Sequence, residues 1–147
     1  VRGQHVASRL WLGLRLQLMK GPGMDGAITA RPLDGDSIHA LVHDFYADVR
    51  ADEQLGPLFD RAIAPHWDAH LARMVDFWST VALGARSFKG DVFGKHMAVD
   101  GVEPGHFEIW LRLWTQHTDA LFEPEVAREL QAVAHGIARN LFRGYFG

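Results

Sequence analysis

From residue 34 onward apolar residues recur every three or four positions, and no stretch alternates as a strand would. Ile38, Leu41, Val42, Phe45 and Val49 make one helical stripe with Tyr46 on its edge, and Asp36 or Ser37 is placed to cap it. Leu55-Gly56-Pro57-Leu58-Phe59 then predicts a tight corner that turns Phe59 inward. The strongest helix follows, over about residues 65–83. Trp67, His70, Leu71, Met74, Val75, Trp78, Val81 and Ala82 share its inner face, Pro65 suits its first position and Gly84 stops it. Phe107, Trp110, Leu111, Trp114, Thr118 and Leu121 predict another helix, opened by Glu103-Pro104. Val126, Leu130, Val133, Ala134, Ile137 and Leu141 predict the last, opened by Glu123-Pro124 and ending near Arg143-Gly144. The pattern is all-α, with four principal helices in one domain over residues 34–147.

Residues 1–33 read differently. They are basic (Arg2, Arg9, Arg15, Lys20, Arg31), and Gly21-Pro22-Gly23 breaks any helix. The apolar run from Leu10 to Leu18 carries Arg15 in its middle and falls short of the roughly 20 apolar residues of a membrane span. Three readings stay open: a mobile extension from translation starting upstream of Met24, an export signal, or a surface helix against the domain or a lipid interface.

Composition narrows the chemistry. The 147 residues suffice for one core, and 48% hydrophobic with 22% charged residues is a soluble globular balance. A net charge of -3 argues against a nucleic-acid partner. With no Cys, a disulfide framework, a thiolate nucleophile, Cys-ligated zinc and iron–sulfur clusters are excluded. A cytoplasmic monomer is the expectation. Histidine and carboxylate remain as metal donors. His39 and His43 are four apart but fall off the apolar stripe, and no Glu follows the first as in a zinc protease, so they read as a solvated pair.

Two other imidazoles stand out. His70 lies on the inner face of the strongest helix. His96 lies in Gly94-Lys95-His96-Met97-Ala98-Val99-Asp100-Gly101, too short between glycines for a long helix, beside apolar Phe93, Met97 and Val99. Antiparallel neighbours would let these rings face each other across a flat cofactor, and a porphyrin iron has two axial positions that imidazole suits. Phe59, Met74, Phe77, Phe93, Phe107 and Trp110 could wall such a ring, and Arg73 could meet its carboxylates. Taken alone, an aromatic helical stripe is more often an ordinary core than a cofactor box.

The order of motifs adds to this. Phe45-Tyr46-x-x-Val49-Arg50, Leu55-Gly56-Pro57-Leu58-Phe59, Trp67-x-x-His70, Phe77-Trp78, His96 and His106-Phe107-x-x-Trp110-Leu111 together resemble the truncated haemoglobins, most closely their third group. The resemblance runs from about Asp36 to Tyr145. It implies a two-over-two helical sandwich around haem b, with the segment bearing His96 reduced to a loop and about one turn. It implies that His96 is the proximal iron ligand and that His70 takes the distal position. Tyr46 and Trp110 would donate hydrogen bonds to the gas ligand, Phe59 would wedge against the haem face, and Met74 would sit one turn beyond the distal position. His106 and Phe88 depart from the pattern. The role of His106 is open, with a surface or rim position expected, and a hydrogen bond at Phe88 is in doubt.

Function then divides three ways. The first is a haem protein binding O2, CO or NO at the sixth position, with slow O2 release through Tyr46 and Trp110. The second is a haem enzyme, a nitric-oxide dioxygenase or a peroxidase-like protein, needing a separate reductase as electron donor. The third is a helical interaction module without haem. His70 is read as a swinging gate, with direct iron ligation as its alternative.

Overall fold

The structure, a computed structural model, describes residues 30–84 and 92–147, without the side chains of Val92 and Phe93. Among the described residues six helices follow one another: α1 (Gly35–Ala51), α2 (Leu55–Ile63), α3 (Trp67–Leu83), α4 (Val92–Met97), α5 (Pro104–Leu121) and α6 (Pro124–Phe146). Four are long and two short, and no strand occurs among the described residues. The pair α1 and α3 packs together, α5 packs along α6, and α1 lies on α5. The short α2 sits against α1 and α5, and α4 sits against α6.

The helix starts show how local chemistry sets these boundaries. Asp34, not Asp36 or Ser37, caps α1. Its carboxylate accepts from the Ser37 amide at 2.9 Å, and the Ser37 hydroxyl accepts from the Asp34 amide at 2.9 Å. This reciprocal pair satisfies two otherwise unpaired donors. The predicted corner at residues 55–59 is instead the first turn of α2. Asp52 arranges it by accepting from the Gln54 and Leu55 amides at 2.8 and 2.9 Å. Pro57 is tolerated there because first-turn amides lack helical acceptors.

Other boundaries also shift. Pro65 precedes α3 rather than opening it, because the His66 amide closes a turn onto the Ile63 carbonyl at 2.7 Å. Gly94 lies inside α4 rather than in a loop. Gly144 does not end α6. The helix runs to Phe146, and the Gly147 amide still bonds the Arg143 carbonyl at 2.9 Å. Gly84 does stop α3, in the left-handed region at φ 73°.

The core forms where α1 meets α3, α5 and α6. Ile38, Leu41, Val42, Phe45 and Val49 are buried as the stripe predicts, and Tyr46 is fully inside rather than at its edge. Trp114 is the largest fully buried side chain. Its ring stacks on Trp78 at 4.3 Å between centroids, and its indole N–H donates to the Leu130 carbonyl at 3.2 Å. Small Ala127, Ala134 and Ala138 let α6 lie close against its neighbours, and Ile109 joins the core from α5. On α3 only Trp67 and Trp78 are buried, and Val81 is 38% exposed, against expectation, while its neighbour Ala82 still packs against the core.

Gly56 marks the tightest approach. A Cβ there would lie 2.5 Å from the Arg50 carbonyl oxygen at the end of α1. Gly56→Ala should therefore force α2 off α1 and cost about 1–3 kcal/mol, read as a lower urea midpoint at unchanged m-value.

Candidate functional site

The two helix pairs enclose a cavity of about 340 Å³. Tyr46 reaches it from α1, Phe59 from α2, His70, Arg73, Met74 and Phe77 from α3, and His96 from α4. From α5 come Phe107 and Trp110. Of the predicted site residues with described side chains, all line this one space. Phe93 and Phe88 lie outside the described side chains, as do the readings on residues 1–29. His39 and His43 lie away from the cavity and stack on each other at 4.0 Å between centroids.

His70 is held by its neighbours. Tyr46 and Trp67 meet its ring edge-on at 5.0 and 5.6 Å between centroids. Its Nε2 is buried and has no hydrogen-bond partner among the described residues. Burial, then the positive potential of His96 and Arg73, lowers its pKa from the usual 6.5 to about 4. The ring is thus neutral near pH 7, with one nitrogen a donor and the other an acceptor.

Folding stability should follow this shift. Above pH 6.5 the ring is neutral in both states, and its burial contributes in full. Between 6.5 and about 4 the unfolded chain takes a proton that the folded chain refuses, so stability falls with pH; below about 4 no further loss accrues. The difference is at most about 3 kcal/mol, discounted because the ring is only partly buried. Urea midpoints of the apoprotein should drop across this window, and His70→Leu should flatten the curve. Equal slopes in the two proteins would refute the assignment.

Burial also raises the Tyr46 phenol above its ordinary value, so it remains a hydroxyl donor. Its ring is fixed edge-on by Phe45 at 4.9 Å and Trp67 at 5.9 Å. Trp110 is fixed by Phe45 at 5.7 Å and by a parallel Trp114 at 6.3 Å. Two polar-tipped aromatics therefore enter the cavity from different helices on rigid supports.

His96 sits at the open side, exposed yet lining the cavity. The Tyr145 hydroxyl donates to its backbone carbonyl and lies 3.5 Å from that of Val99. Burial, with help from Asp100, raises the Tyr145 pKa and keeps that donor protonated. This clasp between α6 and α4 escaped the sequence reading, because it joins residues 49 apart. A faint signal existed: Tyr145 lies four positions beyond Leu141 on the inner stripe. His106 takes the expected rim position, and its Nδ1 accepts from the Glu103 amide at 2.9 Å to cap α5.

The donor set tests a cofactor. Among the described residues no three His, Asp or Glu side chains converge on a point, so a metal here would need donors beyond the protein's. A tetrapyrrole supplies four. The cavity matches it with apolar walls, an unpartnered Nε2 on α3, an imidazole on α4, and Arg73 and Lys95 as cations for carboxylates.

No family model matches the chain. It is 31% identical, over 121 residues, to the group 3 truncated haemoglobin ctb of Campylobacter jejuni; the match covers 78% of this chain and 95% of the relative. The chain belongs to the group III truncated haemoglobins. The crystal structure of group III truncated haemoglobin from Campylobacter jejuni superposes with a TM-score of 0.68 at 29% identity, covering 80% of this chain and 97% of that one. The six helices are thus a truncated-haemoglobin fold, as the motif order implied. Truncated haemoglobins bind haem, and the cavity lies between the helix pairs that define this fold. Among the described residues no helix is long and apolar enough to cross a membrane.

Proposed function

We propose that this truncated haemoglobin holds haem b through His96 and binds O2, CO or NO at the opposite coordination position. The observation that carries the reading is the meeting of His70, His96, Tyr46 and Trp110 in one apolar cavity. Haem supplies the iron that binds the gas; the chain supplies everything that tunes it. His96 offers an imidazole nitrogen from α4, steadied by the Tyr145 clasp. Phe59, Met74, Phe77 and Phe107 wall the ring, and Arg73 meets its carboxylates. Tyr46 and Trp110 aim an O–H and an N–H at the gas. His70, neutral and without a partner on Nε2, stands as a gate between the cavity and solvent. The globin unit in this reading spans residues 34–147.

Two donors toward a ligand that gains negative charge favour retention of O2 over delivery, and so suit sensing or scavenging. Sustained turnover would draw electrons from a separate reductase. Absorption spectra of the reduced, oxygenated and CO-bound forms test the cofactor, its axial ligation and the open position together. A preparation that stays colourless after expression with haem supplied would overturn the reading.

A further inference from the structure

Trp67 lies one ring outside the cavity. It does not line that space, yet it touches three residues that do. Tyr46 and His70 meet it edge-on at 5.9 and 5.6 Å between centroids, and Phe59 stacks beside it at 6.5 Å. Its outer side faces a charged pair at the surface. The indole N–H donates to the Asp60 carboxylate at 2.8 Å, and the Arg50 guanidinium sits 4.5 Å from the ring centroid. Asp60 and Arg50 are about half exposed and lie 3.8 Å apart.

This arrangement differs chemically from the inner tryptophan. The Trp114 N–H donates to a backbone carbonyl, which cannot take a proton. The Trp67 N–H donates to a carboxylate, which can. An indole that loses an electron becomes a far stronger acid, comparable to a carboxylic acid, and Arg50 beside the ring opposes a lasting positive charge there. Loss of the proton along with the electron is therefore favoured, and Asp60 is in place to receive it.

We propose that Trp67 is an exit for oxidising equivalents, so that the chain oxidises aromatic one-electron donors at its surface with hydrogen peroxide as oxidant. The proposal rests on the haem reading above. Trp67 passes one electron inward, by way of Tyr46, and its Nε1 proton to Asp60. A neutral indolyl radical and a protonated carboxyl group remain. A phenol or aromatic amine at the surface returns one electron to the ring, Asp60 returns the proton to Nε1, and the donor's own proton goes to water. Peroxide takes up two electrons and two protons and leaves as two waters, so two such passes complete a turnover.

The haem-loaded full chain, mixed with peroxide and freeze-quenched, should give a radical signal that narrows when ring-deuterated tryptophan is incorporated. Trp67→Phe keeps the aromatic packing but cannot be oxidised. It should lose that signal and lower peroxide-dependent oxidation of the dye ABTS, too bulky to share the cavity with haem, by about tenfold. Trp67→Tyr, oxidisable again, should restore most of the dye rate, which a purely structural role would not predict. Asp60→Asn should slow dye oxidation several-fold while the Soret band persists. A normal Soret band with an unchanged signal and dye rate in Trp67→Phe overturns the exit alone. A chain that develops no Soret band with added haem overturns the haem reading and the exit with it.

Discussion

His96→Gly should lose tight haem binding while the helical fold persists. His96 occupies the shortest described helix of the cavity wall, exposed yet lining the cavity. Its removal deletes no core packing, so circular dichroism should be nearly unchanged. Haem affinity is another matter. Even outer-shell partners of metal ligands change affinity by about 10–100-fold, so loss of the ligand itself should exceed about a hundredfold. Transfer of haem to an excess of a competing apoglobin measures this directly. Added free imidazole should slow the transfer by filling the space that glycine leaves. If the variant instead keeps haem at the parent rate, and only a second change, His70→Ala, releases it, the iron bond belongs to His70.

The contrast between His96 and His70 shows what each contributes. His70 is caged by Tyr46 and Trp67 and is kept neutral by burial. Its position is set by packing on the long α3, so it moves only as far as those rings allow. His96 is placed by six residues of helix and by the Tyr145 clasp from the far end of the chain. One imidazole is positioned by its ring neighbours, and the other through its backbone. In the proposed reading His96 would pin one face of the haem, and His70 would yield on the other to admit a ligand.

Much of the fold is legible in the sequence alone. The helices announce themselves through apolar spacing, and α5 and α6 begin where Glu103-Pro104 and Glu123-Pro124 place them. His70 stood out as a histidine among Trp67, Leu71 and Met74, whereas Tyr46, Phe59 and Trp110 were singled out by the resemblance; the structure brings all four side chains to one cavity. The errors have physical causes. The α2 turn was hidden because Gly56-Pro57 reads as a breaker, whereas Asp52 caps it from three residues upstream. Asp34 was passed over as cap because Asp36 and Ser37 look equally able, and only the reciprocal bond with Ser37 decides. Val81 was assigned inward because periodicity gives a face and not its exact edge: Ala82 packs on the core and Val81 does not. Ala127 and Ala138 were missed because a small side chain carries little hydropathy signal, although close helix contact needs it. Tyr145 and the pairing of Trp67 with Asp60 depend on which elements meet, which spacing along the chain does not encode.

Tyr46→Phe should raise the O2 dissociation rate at least tenfold. The substitution removes one oxygen atom and keeps the ring. The edge contacts with Phe45, Trp67 and His70 therefore survive, and stability should change little. The parent hydroxyl stays protonated because burial raises its pKa, so it can only serve O2 as a donor, not as a charge. A hydrogen bond to a charged acceptor contributes about 1.5–3 kcal/mol, and each 1.4 kcal/mol is about tenfold in a rate set by that bond. CO gains far less negative charge as a ligand, so its dissociation should move much less. That difference separates a lost hydrogen bond from a loosened cavity, which would speed both gases alike. Trp110→Phe should act in the same direction. The double variant should fall short of the product of the two effects, because Tyr46 and Trp110 both lean on Phe45 and converge on one ligand. Stopped-flow replacement of O2 by CO reads all of these rates. An O2 rate unchanged by Tyr46→Phe would remove Tyr46 from the ligand network and leave Trp110 as the donor to test.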